Sequence, residues 1–176
     1  MDYKPLLDKF SGYLNAWAKK SISFAGRREL IASVLQGCAG FWLSILSVPS
    51  GVIDSLIGIC RGFLWKRPRV RWVDVCVPRE EGGLGLLNLG AWNKCFMLKH
   101  FWHILDMRDS LWVRWVHHRY LGVVEPLDWV PHRRDSPLIK AILHARDLIE
   151  DLEGREMSTE ETLSACCKAF QGGFGV

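Results

Sequence analysis

Between Glu29 and Asp54 the chain runs for 24 residues, Leu30 to Ile53, without a single charge. A stretch of that length and character either crosses a bilayer or is enclosed by other parts of a fold. Pro49-Ser50-Gly51 interrupts the run and reads as a turn. Ser33, Gln36, Ser44 and Ser47 recur along it, and Arg27-Arg28-Glu29 continues the same helical phase upstream. The pattern therefore predicts a buried helix followed by a turn, not a membrane span. A helix this apolar needs cover on several sides, which requires neighbouring helices.

The flanking sequence supplies them. Leu7, Phe10, Leu14 and Trp17 step by helical intervals within a segment from about Pro5 to Lys20. A second helix starts after Ser21 or Ser23, each a suitable N-cap, and runs to about Val48. A third begins with Ser50 as its N-cap and continues through Leu56, Cys60 and Leu64 to about Trp65. Three helices with short connections predict an N-terminal three-helix bundle over 1–67. Both Trp17 and Trp42 are expected to be fully buried in it.

Residues 68–122 read as an irregular segment followed by two helices. Val70 to Val77 is compatible with a short strand or a single helical turn. Pro78 to Gly85 is a Gly-rich loop. Asn88 caps a helix reaching Asp106, and Ser110 caps another ending at Gly122. Over 123–154 a loop leads to a helix with Ser136 as cap, Pro137 in the first turn and Gly154 as stop. The polar, then Gly-rich stretch 155–176 is expected to be a disordered tail. The fold class is thus mainly α.

Charge is unevenly spread. The net +4 conceals 12 basic and 6 acidic residues over 1–80, against 3 basic and 7 acidic over 141–176. Lys19-Lys20, Arg27-Arg28 and the cluster Lys66, Arg67, Arg69, Arg71 all fall at the ends of the first three helices. In a bundle, the end of the first helix adjoins the start of the second. Lys19, Lys20, Arg27 and Arg28 would then share one edge that suits a phosphate backbone. An ordinary solvated helix end accounts for the same residues.

Catalytic chemistry finds little footing. Glu80-Glu81 reads as a solvated loop, and no nucleophile is positioned beside a base. His117 and His118 are adjacent and would point about 100° apart on a helix, which does not suit one metal ion. Pro78 to Gly85 lacks the Gly-x4-Gly-Lys-Ser/Thr pattern of a phosphate loop. The six cysteines form no Cys-x-x-Cys pair. Cys38, Cys60 and Cys95 read as small buried hydrophobes. The N-terminal residues lack the apolar core of a signal peptide. The expectation is a nuclear or cytoplasmic protein, not a secreted one.

Several blocks carry a resemblance. They are Tyr3-x-Pro-Leu-Leu-Asp-Lys-Phe, Trp17-x-Lys-Lys-x-Ile-Ser-Phe-Ala-Gly-Arg27 and Leu30-Ile-Ala-Ser-Val-Leu35. Next come Phe63-Leu-Trp65, Trp72-x3-Cys76-x-Pro-Arg-x-Glu-Gly-Gly-Leu-Gly85, Leu89-x2-Trp-Asn93 and Ser110-Leu-Trp-Val-x-Trp115. In order and spacing they resemble plant LINE-type (non-LTR) retrotransposon reverse transcriptases across about residues 1–122. Leu143-x2-Arg146-Asp147-Leu148 is a weaker echo. The resemblance implies the thumb and linker that follow the polymerase palm in that family.

It also implies a fragment. The family's divalent metal is held by palm aspartates that include a Tyr/Phe-x-Asp-Asp motif, and no Asp-Asp pair occurs here. The family's downstream Cys/His-rich segment is not matched by Cys166-Cys167. A chain of this kind is expected to be inactive alone and to carry no cofactor. Its implied partners are an RNA–DNA hybrid or other nucleic acid and the remaining retroelement polyprotein segments, with no membrane and no small-molecule substrate. The thumb role makes Lys19, Lys20, Arg27 and Arg28 backbone contacts, with Lys66, Arg67, Arg69 and Arg71 as further candidates. The alternative is a structural or interaction module, or a non-functional truncated retroelement product, with no nucleic-acid role.

Overall fold

In the computed structural model, residues 3–18, 20–65 and 70–153 are described. Lys19, Lys66, Arg67, Arg69, Gly154 and the tail 155–176 lie outside the described residues. Among the described residues the structure is helical, without strands. The chain divides into two compact units, residues 1–92 and 93–176.

The first unit begins with α1 (Lys4–Ala18). Its buried face is Leu6, Phe10 and Leu14, spaced by four. Leu7 and Trp17, expected on that face, are only half-buried. The four-residue step rotates the buried stripe by about 40° per turn and carries Trp17 to its edge.

The uncharged run folds as a broken rod. It comprises α2 (Phe24–Leu30), a π-helical turn (Ile31–Leu35) and α3 (Gln36–Ile45). Ser23 caps α2, its hydroxyl accepting from the Gly26 N–H at 3.2 Å. Ile31, Leu35, Ala39 and Leu43 are all enclosed, at 1% exposure or less. A stripe spaced by four drifts around an α-helix by about 40° per step. The wider π turn absorbs part of that drift and keeps the four side chains on one face. The serines satisfy their hydroxyls locally, Ser33 donating to the Glu29 carbonyl and Ser44 to that of Phe41, both at 2.7 Å. At Leu46 the backbone turns extended (φ −122°, ψ 142°), so the helix stops short of Pro49. No helix among the described residues is long and apolar enough to cross a membrane.

Helix α4 (Ser50–Leu64) buries Ile53, Leu56, Cys60 and Leu64. Pro49, not Ser50, occupies its N-cap position. The Val52 and Ile53 N–H groups donate to the Pro49 carbonyl at 3.0 and 3.1 Å, which leaves Ser50 inside the first turn. The α1 and α4 helices pack together, and α2 also packs on α4. Tyr3 donates its hydroxyl to the Ser47 carbonyl at 3.0 Å at one end. Trp17 meets Phe63 at the other, with ring centroids 5.9 Å apart. Thus α1 and α4 run the same way, with the broken rod returning between them.

The segment that was ambiguous between strand and helical turn is α5 (Trp72–Cys76), a helical turn that buries Trp72 and Val75. A 3₁₀ turn (Arg79–Glu81) follows, and Gly82 takes φ 88°. The chain then doubles back on α5. Leu84 N–H donates to the Val75 carbonyl at 3.0 Å and Gly85 N–H to that of Val77 at 2.9 Å. Gly83 lies so close that a Cβ there would overlap the Val77 carbonyl.

Helix α6 (Leu89–Leu105) starts in the first unit and continues into the second, with Asn88 Oδ1 accepting from the Ala91 N–H. In the second unit, Phe101 and Ile104 on α6, Val113 and Val116 on α7 (Leu111–Val116), and Ile139, Ile142 and Leu143 on α8 (Pro137–Glu153) are buried. Ser110 and Ser136 cap α7 and α8 as their sequences predict. A π turn (His117–Leu121) extends α7, and Gly122 ends it at φ 58°. Arg146 ties α8 to the preceding loop by donating to the carbonyls of Leu127 and Trp129. Of the cysteines expected to be buried, Cys60 is, whereas Cys38 and Cys95 are half-buried.

Candidate nucleic-acid interface

The end of α1, the start of α2 and the end of α4 meet in one place, and the sequence explains why. After α1 the Lys20 N–H donates to the Trp17 carbonyl at 2.9 Å, which turns the chain. Ser23 then starts α2. A Cβ at residue 26 would press on Ile22 Cγ2 at 2.8 Å, so glycine there lets Ile22 fold over the first turn. Arg27 follows one residue later. Its Nε donates to the Ile22 carbonyl at 3.2 Å and its Nη1 reaches the Phe63 carbonyl at 3.5 Å. The guanidinium carbon lies 6.0 Å from the centre of the Phe63 ring.

These groups border an open cleft of about 420 Å³. Its walls include Trp17, Phe63, Lys20 and Arg27, with the polar side chains of Ser11 and Asn15. Trp17 is stacked nearly parallel on Tyr13, with centroids 5.8 Å apart and planes 12° apart. Outside the cleft Phe24 leans on Trp65 at 5.9 Å. The aromatic residues are thus gathered at the same end of the bundle as the basic ones.

The basic residues differ sharply in what they do. Lys20 is exposed, and no ion pair among the described residues holds it. Arg27 forms part of the cleft wall. Arg28 turns away from both, with its side chain 14% exposed. Its Nε donates to the Leu84 carbonyl at 2.9 Å, its Nη2 to that of Gly85 at 3.2 Å and its Nη1 to Glu29 at 2.8 Å. It clamps the Gly-rich loop. Arg79 approaches the same Glu29 carboxylate at 3.7 Å. Arg71 pairs with Asp74 through two bonds of 3.1 and 3.0 Å, and that hydrogen bond and charge push its pKa up. The pair is solvent-exposed and adds little to stability. Lys19, Lys66, Arg67 and Arg69 lie outside the described residues.

The clamp role of Arg28 was not legible in the sequence, because 56 positions separate it from its Leu84 partner. The cleft aromatics were legible as motif positions, but Trp17 had been expected inside the core. Among the described residues, no three His, Cys, Asp or Glu side chains gather as metal ligands. In the second unit the His117 Nε2 group hydrogen-bonds the Ile104 carbonyl at 2.9 Å, while His118 is exposed.

Comparison with known proteins places the chain among plant relatives. It is 30% identical over 133 residues to an Arabidopsis thaliana protein named putative ribonuclease H protein. That alignment covers 71% of this chain and 22% of the relative. It is also 28% identical over 81 residues to an uncharacterized mitochondrial protein of Arabidopsis thaliana, covering 46% of this chain and 53% of that one. The chain therefore spans about a fifth of the first relative and about half of the second. No protein-family model matches the chain, and no solved structure does.

Proposed function

We propose that the chain is a thumb-and-linker portion of a plant LINE-type retroelement reverse transcriptase, non-catalytic by itself, that grips nucleic acid through the phosphate backbone. The observation that carries this reading is the ordered series of motif blocks from Tyr3 to Trp115. The relative named a putative ribonuclease H protein, aligned over 71% of this chain, is compatible with a retroelement origin. Polymerase chemistry would belong to palm aspartates and their divalent metal, and this sequence has no Asp-Asp pair. The partners in this reading are an RNA–DNA hybrid and the other segments of a retroelement polyprotein.

The grip falls to Lys19, Lys20 and Arg27, with Lys66, Arg67, Arg69 and Arg71 as further contacts. Arg28 is a clamp whose removal would disturb the loop, so it makes a poor probe of binding. The test is titration of a labelled RNA–DNA hybrid at about 50 mM and about 200 mM salt. Affinity should fall steeply with salt. Lys19→Ala with Lys20→Ala should flatten the log–log salt slope by roughly 0.9 for each phosphate contact removed. Absence of binding at the lower salt, or an unchanged slope in the double variant, would overturn the reading.

A second reading, an interaction module without a nucleic-acid role, is favoured by exposed apolar side chains in the second unit. Leu111 is 85% exposed, Val130 76% and Trp115 50%. Stable association with another protein in the absence of nucleic acid, combined with no binding of the hybrid, would support it.

A further inference from the structure

We infer that the cleft bordered by Trp17 and Phe63 is a stacking site for one unpaired nucleobase of a single strand, with Lys20 and Arg27 holding the adjoining phosphate. The inference rests on the nucleic-acid reading above and adds to it a specific ligand state, an unstacked base.

The chemistry follows from what borders the cleft. A base needs a flat, rigid, electron-rich surface, and Trp17 offers one. The ring is fixed before any ligand arrives, by the near-parallel Tyr13 on the same helix and by Phe63 from α4. Little side-chain freedom remains to be lost on binding. Arg27 is oriented by its bonds to the Ile22 and Phe63 carbonyls, which leave further N–H groups of its guanidinium for an anion. Lys20 stands exposed at the cleft's border. Ser11 and Asn15 add hydrogen-bonding groups suited to base edges. A volume of about 420 Å³ lies within the range of small-molecule sites.

Aromatic wall, fixed cation and exposed cation within one cleft form the combination that single-strand binders use. Duplex bases are already stacked on one another and do not present a face to such a wall. The aromatic wall therefore selects a single strand over a paired one, whereas phosphate contacts from Lys20 and Arg27 do not discriminate.

The experiment uses the full chain and two labelled probes of about 12 nucleotides, an oligothymidylate and an RNA–DNA hybrid, read by anisotropy at low salt. Trp17→Leu keeps an apolar side chain against Phe63 and should weaken oligothymidylate binding about tenfold, while hybrid binding changes less than about twofold. Asn15→Glu places a carboxylate beside the cleft at an exposed helical position, where folding is least disturbed. It should weaken the oligothymidylate comparably, and far-UV circular dichroism checks that both variants remain helical. Oligothymidylate affinity that survives both substitutions in helical protein would overturn the inference. So would equal losses for the two probes in Trp17→Leu, which would mean a general stability effect; Asn15→Glu, whose charge lies in the same cleft as Lys20 and Arg27, is expected to weaken the hybrid as well. Hybrid binding without oligothymidylate binding would overturn the stacking site and leave the proposed grip standing. Trp17-dependent oligothymidylate binding without hybrid binding would support the site and remove the duplex grip.

Discussion

Gly83→Ala tests the tightest backbone approach in the first unit. A methyl group at residue 83 would overlap the Val77 carbonyl carbon and oxygen, which are backbone atoms and cannot rotate aside. The loop must open to admit it. Opening strains the bonds from Gly83 N–H to Pro78 (3.0 Å), from Leu84 N–H to Val75 (3.0 Å) and from Gly85 N–H to Val77 (2.9 Å). At about 1 kcal/mol net for each, those bonds account for roughly 3 kcal/mol. The Arg28 clamp on Leu84 and Gly85 loosens with them, which brings the expected loss to about 3–5 kcal/mol. Gly12→Ala is the matched control, because that position in α1 has nothing within 4 Å and should gain up to about 1 kcal/mol from helix propensity. Two compact units need not unfold together, so urea denaturation is best paired with hydrogen exchange at the Leu84 and Gly85 amides. A Gly83→Ala loss below about 1 kcal/mol, or unchanged protection at those two amides, would refute the close-packed loop.

Arg28→Ala should destabilise the first unit by about 1–3 kcal/mol, and Arg28→Lys should restore little of it, since one ammonium cannot serve two carbonyls and a carboxylate as the guanidinium fork does; equal stability of the Lys variant and wild type in urea would count against the clamp. Trp17→Ala and Trp42→Ala should each cost only about 1–3 kcal/mol because both rings are half-buried, whereas Phe10→Ala, with a side chain fully enclosed, should cost about 3–5 kcal/mol; the reverse ranking in denaturation curves would show the helix faces to be misassigned. Burial pushes the Cys60 thiol up to about 12 and the Cys76 thiol up to about 11, from an ordinary value of 9.0. The unfolded chain loses those protons first, so stability is intact below about pH 9 and declines as pH rises from there toward 11–12. Equilibrium denaturation between pH 8 and 10.5 should show that decline in wild type and a weaker one in Cys60→Ala, and a flat profile in wild type would contradict it.

Sequence by itself determined the mainly helical class, the three N-terminal rods and most of their ends. Those features depend on residues close together along the chain: Ser23, Asn88, Ser110 and Ser136 cap the helix beside them, and apolar side chains recur at turn spacing. The uncharged run was readable as a helix ending before Pro49 for the same reason, since Pro49 and the recurring serines are local signals, but it is covered on one face and not on several: Phe41 is 61% and Ile45 48% exposed. Which face each rod buries was less legible. Leu6 replaces Leu7 on α1, and Trp17 moves to the border of a cleft, because a buried stripe is fixed by the neighbour it meets. Tertiary structure alone decided the fate of the basic residues. Adjacent arginines at 27 and 28 are chemically identical in sequence, yet one faces an aromatic cleft and the other locks a loop more than 50 positions away. Their direction follows from the helical turn of about 100° between them, and from which carbonyls the folded chain leaves within reach of each guanidinium.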